Sequence, residues 1–269
     1  MKTRKPVICF DLDGTLVDEH SRIHPRDVEI LSRPDPPAVF IPCTGRLLPS
    51  VRRLFARHGL FSDAPLPFPL VLQNGAALYR PGEELFAYHA FPPEVRRFFV
   101  DLILVTPGVS FLVFTQHETL EYWPTDFSRR LVQRFDLEVQ QFTTQNELVF
   151  SKVMALSEYP ERLAIIARLA ARQGIEHSYS LETVLEFTPA GVHKGRGLGE
   201  LLAGLGLEEH PLLVAGDGGN DLSMFELTPH TFAPLTAPEE IRSRACRVVD
   251  VAASGLLEPM LEGCGGFAG

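Results

Sequence analysis

The run Val7-Ile8-Cys9-Phe10-Asp11-Leu12-Asp13-Gly14-Thr15-Leu16-Val17 limits what this chain can become more than any other stretch. Its first four residues are apolar with no polar alternation, the pattern of a strand buried on both faces inside a parallel sheet. The strand stops at Asp11. A second acid follows after one residue, and Gly14-Thr15 lets the chain turn away. An acid at the carboxyl end of such a strand points into the crevice where open α/β sheets bind ligands. Two buried carboxylates cost several kcal/mol unless something compensates them, so a cation is the expected third party.

The same phrase recurs along the chain. Ala38 to Cys43 is a second apolar strand ending at Thr44-Gly45-Arg46, and Leu70 to Gln73 is a third ending at Asn74-Gly75, a turn-favouring pair. Pro211 to Ala215 is a fourth, leaving through Gly216-Asp217-Gly218-Gly219-Asn220-Asp221. Helical spacing falls between them, at Pro25 to Leu31 and at Leu47, Val51, Leu54 and Phe55, and again from Lys194 to Leu205. Strand alternating with helix predicts a doubly wound parallel sheet. After the fourth strand, a helix through Met224 to Leu227, a strand at Thr231 to Ala233, a helix from Glu239 to Ala245 and Val248-Val249 complete it.

The middle of the chain breaks the rhythm. Ala76 to Tyr79 and Leu85 to Tyr88 flank Pro81-Gly82 as a hairpin. Helices are expected at Glu94 to Val105, Phe127 to Phe135 and Glu161 to Gln173. Extended segments are expected at Ser110 to Thr115, Leu120 to Trp123, Val149 to Leu156 and Val184 to Phe187. The expected architecture is therefore α/β: a Rossmann-like core of residues 1–86 and 187–269, with residues 87–186 inserted as a separate α/β domain.

Formal charge is −9, with 34 acids against 25 lysines and arginines, and no basic run occurs. That balance argues against a nucleic-acid partner. Cys9, Cys43, Cys246 and Cys264 show no metal spacing and read as reduced thiols of a cytoplasmic protein. The short basic start, Met1 to Lys5, leads into a strand and then acids, so neither a signal peptide nor a membrane span is expected.

If the four strands are parallel neighbours, their exits gather Asp11, Thr44, Asn74 and Asp217 at one sheet edge, with Lys194 at a helix start. That set suits a phosphoryl group and a divalent cation. Phosphoryl transfer needs an in-line nucleophile, charge neutralisation and a proton for the leaving oxygen. Asp11 can attack phosphorus as a carboxylate. Asp13 can protonate the leaving group and then activate water. Mg²⁺ prefers oxygen ligands, here the carboxylates of Asp11 and Asp217 and the backbone carbonyl of Asp13. Thr44, Gly45, Lys194 and Asn220 are candidates for holding phosphoryl oxygens, and Asn220 and Asp221 for orienting metal-bound water and Lys194. Arg46 divides evenly between a phosphate or substrate contact and a surface salt bridge, and Asn74 reads first as a turn residue. In the insert, Tyr122, Trp123 and Asp126 read first as packing or surface residues, with a substrate contact as the sharper alternative.

Taken in order, Asp11-Leu12-Asp13-Gly14-Thr15, Thr44-Gly45, Lys194 and Gly216 to Asp221 resemble the four motifs of the haloacid dehalogenase superfamily. Thr44-Gly45-Arg46, Asn74-Gly75-Ala76 and Gly191-Val192-His193-Lys194-Gly195 are further similar to its Cof-type branch, which carries a large α/β cap between the second and third motifs. The resemblance implies a Mg²⁺-dependent phosphatase acting on small phosphorylated metabolites, sugar phosphates or cofactor phosphates, through an aspartyl phosphate, with the cap closing over the site. A phosphomutase and a non-catalytic phospholigand-binding protein are the alternatives, and release of free phosphate separates them. Two positions depart from the branch: Phe232 to Ala237 replaces a small-residue loop, and Gln73 stands where a serine commonly precedes Asn-Gly.

Overall fold

A computed structural model describes residues 4–134, 136–143 and 148–263. Phe135, the expected end of one helix, Cys264 and the last residues of the expected core lie outside the described residues, as does most of the basic start. The chain divides into two compact units, one built from the residues up to Ala87 together with those from His193 onward, the other from Tyr88–Val192.

The first unit opens with β1 (Val7–Phe10), α1 (Pro25–Leu31), β2 (Val39–Pro42), α2 (Leu48–Arg57), β3 (Leu70–Leu72), β4 (Ala77–Arg80) and β5 (Glu84–Tyr88). The second unit contributes α3 (Pro93–Val105), β6 (Ser110–Thr115), β7 (Thr119–Tyr122), α4 (Asp126–Arg134), β8 (Val139–Gln141), β9 (Phe150–Leu156), α5 (Pro160–Arg172), β10 (His177–Leu181) and β11 (Val184–Phe187). The chain then returns through α6 (Lys194–Leu205), β12 (Leu212–Ala215), α7 (Leu222–Phe225), β13 (Thr231–Pro234), α8 (Glu239–Arg242), β14 (Arg247–Val249), α9 (Val251–Ser254) and α10 (Leu257–Glu262).

In the first unit, five parallel strands lie in the order β14-β13-β12-β1-β2. The central strand β1 is buried at every position, as its unbroken apolar run requires. On one face Val7, Cys9, Ile41 and Val214 pack with Leu198, Leu201 and Met224, supplied by α6 and α7. Strand alternation sends Phe10 to the other face, where its ring meets Phe40 edge-on at 6.4 Å. Full burial of each such side chain stabilises the unit by about 1.5–3 kcal/mol.

The third strand differs from expectation. Its ladder is the antiparallel one with β4, in a small sheet β3-β4-β5, and it joins the parallel sheet through a single bridge from Val71 to Cys43. β3 is only three residues long, with β4 on one edge and the end of β2 on the other. The bridge still sets the Asn74 turn beside Thr44, because the Thr44 amide donates to the Val71 carbonyl at 2.9 Å and the Asn74 amide to the Thr44 carbonyl at 3.0 Å.

In the second unit a six-stranded sheet runs β10-β11-β9-β6-β7-β8, antiparallel except for the parallel pair β7 and β8. Its core gathers Phe111, Val113, Phe150 and Val153 from the sheet with Phe99 and Ile103 of α3 and Leu163 and Ile166 of α5. β8 and β10 were not anticipated from the residues. Both are sheet edges, and β10 is exposed at every position, so neither carries the apolar pattern by which a strand announces itself.

Candidate active site

Parallel pairing brings the first two acids together. β1 and β12 are in register Phe10 to Ala215, and the Asp11 amide donates to the Ala215 carbonyl at 3.0 Å, so Asp11 and Asp217 leave neighbouring strands at one edge. Gly14 turns the chain there with φ of +81°, and a Cβ on it would lie 2.3 Å from Asp217 Oδ2. Only glycine fits both that dihedral and that approach. The next residue, Thr15, donates its hydroxyl to Asp217 Oδ1 at 3.0 Å.

Lys194 and Asp221 complete the buried group. The Lys194 ammonium donates to Asp11 Oδ1 and to Asp221 Oδ1, both at 2.6 Å, and its side chain is 0% exposed. Asp221 Oδ2 accepts the amides of Asp217 and Gly218 at 3.0 and 2.9 Å, so this carboxylate ties the lysine to the Asp217 turn. Glycines let the helix of Lys194 come this close. A Cβ on Gly195 would lie 2.0 Å from the Ser223 carbonyl oxygen, and one on Gly75 2.3 Å from the His193 carbonyl oxygen. The Gly195 amide also donates to Ser223 Oγ at 3.0 Å.

The charges do not balance. Asp11, Asp217 and Asp221 each offer a carboxylate oxygen within 4.8 Å of the others, against one ammonium. Burial pushes the Asp11 carboxyl up to about 7, with Lys194 pulling down and Asp221 and Asp217 adding to the rise. Burial likewise raises Asp217, opposed by the Thr15 hydrogen bond. Lys194 is raised, its two carboxylate partners overcoming the desolvation that pulls it down. Oxygen donors with surplus negative charge are what a hard divalent cation requires. Asp221 has both oxygens engaged, while Asp11 Oδ2 and Asp217 Oδ2 take no part in the bonds above. Those two side chains are the ones that fit a metal.

Around this centre lie the remaining candidates. Thr44 is buried one residue past the Cys43 amide, which donates to the Phe10 carbonyl at 2.8 Å, and its hydroxyl accepts the Arg46 amide at 3.2 Å. Asn220 donates to Asn74 Oδ1 at 3.3 Å, and Gly45 lies under the Asn74 amide, where a Cβ would come to 3.2 Å. Gln73 and Asn74 both hold positive φ, 52° and 55°.

Of the two readings of Arg46, the structure shows the salt bridge, with Asp13 as the partner. Its Nε and Nη2 donate to the two oxygens of Asp13 at 2.8 and 2.6 Å, a bidentate clamp, and Nη1 donates to Ser50 at 3.1 Å. Ser50 was not singled out from the residues, although its place one helical turn after Arg46 is the signal that could have found it. Ser223 was missed as well. In the second unit Tyr122 packs edge-on against Phe142 at 5.8 Å, Trp123 is half exposed beside it, and Asp126 pairs with Arg129 at 2.7 Å on the surface.

Comparison with known families matches residues 8–257 to the haloacid dehalogenase-like hydrolases. The chain belongs to that family. A 5-amino-6-(5-phospho-D-ribitylamino)uracil phosphatase of Bacillus subtilis is 25% identical to this hydrolase, over 88% of the chain and 90% of its own length. A phosphoglycolate phosphatase of Haloarcula marismortui is 26% identical over 96% and 97%. The crystal structure of a Thermotoga maritima protein superposes with a TM-score of 0.81 at 25% identity, covering 94% of this chain and 97% of that one. The enzyme is thus a phosphoric monoester hydrolase of the Cof-type branch, with the α/β fold of that family.

Proposed function

We propose that this hydrolase is a Mg²⁺-dependent phosphatase that cleaves small phosphate monoesters through a phosphoryl group carried on Asp11. The observation that carries the reading is the buried contact of Asp11 with Lys194, with Asp217 held beside it by Thr15 and Gly14. An acid and a lysine are rarely buried together without a task.

Asp11 and Asp217 would hold the metal with their carboxylates and Asp13 with its backbone carbonyl. When bound, Mg²⁺ supplies the positive charge that lets a carboxylate approach a phosphate dianion. Lys194 holds one oxygen of Asp11 and fixes its rotamer, so the carboxylate is oriented before substrate arrives. Asp11 attacks phosphorus, forming a new O–P bond as the ester P–O bond breaks. The Asp13 carboxyl gives its proton to the leaving oxygen. Thr44 and the Gly45 amide hold phosphoryl oxygens, with Lys194 and Asn220 adding donors. A water that gives its proton to Asp13 then attacks phosphorus, releasing inorganic phosphate and restoring the Asp11 carboxylate. Arg46 orients the Asp13 carboxylate with two donors, one of which lets go when Asp13 carries the proton.

Relatives named for a ribitylaminouracil phosphate and for phosphoglycolate set the range of substrates to test, small monoesters of organic alcohols. The test is phosphate release from such a panel with Mg²⁺ present and absent. Asp11→Asn is expected to lower release by about 10³-fold or more while leaving the circular dichroism spectrum unchanged. Release near the wild-type rate would remove Asp11 as the nucleophile. Turnover of phosphosugars without free phosphate would point to a phosphomutase instead.

A further inference from the structure

Three residues in a row, Gln73, Asn74 and Gly75, hold positive φ, at 52°, 55° and 100°. For a residue with a side chain that conformation is uncommon, and here it turns the chain tightly as it leaves β3. The turn touches three neighbouring segments. The Gln73 amide donates to the Arg46 carbonyl at 3.2 Å and the Asn74 amide to the Thr44 carbonyl at 3.0 Å, which ties it to the loop after β2. Gly75 lies against the His193 carbonyl at the start of α6. The Asn74 side chain reaches the loop after β12, where Asn220 donates to its Oδ1 at 3.3 Å.

Backbone alone accounts for the first two of these contacts. A glycine at position 74 would make them, and asparagine is one of the few other residues that the left-handed region tolerates. The third contact needs the side-chain amide. Asn220 Nδ2 carries two hydrogens; Asn74 Oδ1 takes one, which fixes the plane of the Asn220 amide and leaves the second hydrogen to donate elsewhere. Gly45 makes room for this arrangement. A Cβ there would come to 3.2 Å from Asn74 Oδ1 and 3.5 Å from its Nδ2, so the amide occupies the space a side chain would fill. The reaction above draws on Gly45 and Asn220 and gives Asn74 no part.

We infer that Asn74 is a positioning residue for phosphate, acting through Asn220 by holding its amide so that the second hydrogen meets a phosphoryl oxygen. The inference rests on the phosphatase reading, which gives Asn220 such an oxygen to hold. Asn220 is exposed and Asn74 half-buried. An exposed side chain that orders only on binding loses its rotamer freedom at that moment, whereas one already tethered has little left to lose. The phosphoryl oxygens are present in the bound substrate and in the transition state alike. Loss of the tether is therefore read in KM and in phosphate affinity more than in kcat.

The test compares the wild type with Asn74→Gly, Asn220→Ala and the double variant. Asn74→Gly keeps the left-handed turn and removes only the amide. Two quantities are measured with Mg²⁺ present: the Kd of inorganic phosphate by calorimetry, and kcat and KM for para-nitrophenyl phosphate. Asn74→Gly is expected to raise Kd and KM about 3–10-fold, with kcat within about twofold of the wild type. Asn220→Ala is expected to raise them at least as far, and the double variant no further, because the two substitutions remove one interaction. Wild-type Kd and KM in Asn74→Gly, loss of its fold by circular dichroism, or an effect undiminished in the Asn220→Ala background each overturns the inference. A wild type that binds phosphate and releases none from any monoester overturns the phosphatase reading, with the Kd values still deciding whether Asn74 acts through Asn220. A wild type that neither binds nor releases phosphate overturns both.

Discussion

A single residue, Lys194, has the heaviest electrostatic duty in the molecule. It pairs with two buried carboxylates at once, so removing it leaves Asp11 and Asp221 without their shared ammonium. Lys194→Ala is expected to destabilise the protein by about 3–5 kcal/mol, read from urea unfolding. A loss under about 1 kcal/mol would mean the acids are neutral in the native protein. For Arg46 the residues offered a salt bridge without naming its partner. From the residues it divided between phosphate and surface, while the geometry makes it the clamp on Asp13. The pairing joins positions 33 apart and leaves no local pattern to read. Arg46→Ala is expected to lower phosphate release about 10–100-fold, with Arg46→Lys restoring part of it. Unaltered kinetics would show the clamp to be idle. The acids themselves were legible because each sits at the end of an apolar run, where burial of the strand dictates where the next side chain emerges.

At the scale of elements, two contacts hold the short pieces in place. Asp27 in α1 is buried and accepts the amides of Leu256 and Leu257 at 2.8 Å each, capping the chain where α10 begins. Asp27 was not singled out from the residues, and α10 went unread, since its cap comes from 230 positions away. Burial raises the Asp27 carboxyl above its ordinary value, opposed by those amides. A raised acid contributes stability that is complete below its unfolded value of about 3.9 and is lost as pH rises through the folded one. The stability gap between wild type and Asp27→Asn is therefore expected to be wider near about pH 4.5 than near about pH 8. Thermal melts at the two values decide it, and a gap that widens with pH would contradict the assignment. The other contact is the approach of α6 to the Asp217 turn, where Gly195 touches Ser223. Gly195→Ala is expected to cost about 1–3 kcal/mol and to reduce phosphate release by moving Lys194. Retained stability and release would mean that the backbone there has room to give.

Across the whole molecule, the division into two units follows from two separate apolar cores, each closed by its own sheet. The change of rhythm along the chain made this readable, since alternating buried strands and helices give way to mixed pairing and then resume. The edges of the second unit's sheet, β8 and β10, were not readable, because an edge strand borrows its order from a neighbour. The acids that could hold a metal ion belong entirely to the first unit, so Mg²⁺ is expected to slow amide exchange in β1, β12 and α6 while leaving α3 and α5 unaltered. Protection appearing first in the second unit would place the cation elsewhere. The bond between Lys194 and Asp11 spans 183 positions, with the complete second unit threaded between them. During synthesis Asp11 therefore emerges from the ribosome long before its counter-ion. Until α6 is made, Asp11 has no ammonium to offset its burial, and β1 lacks its β12 neighbour as well. The inserted unit, a continuous segment, can mature in that interval. Assembly of the buried acid–lysine cluster is thereby deferred to the closing stage of translation.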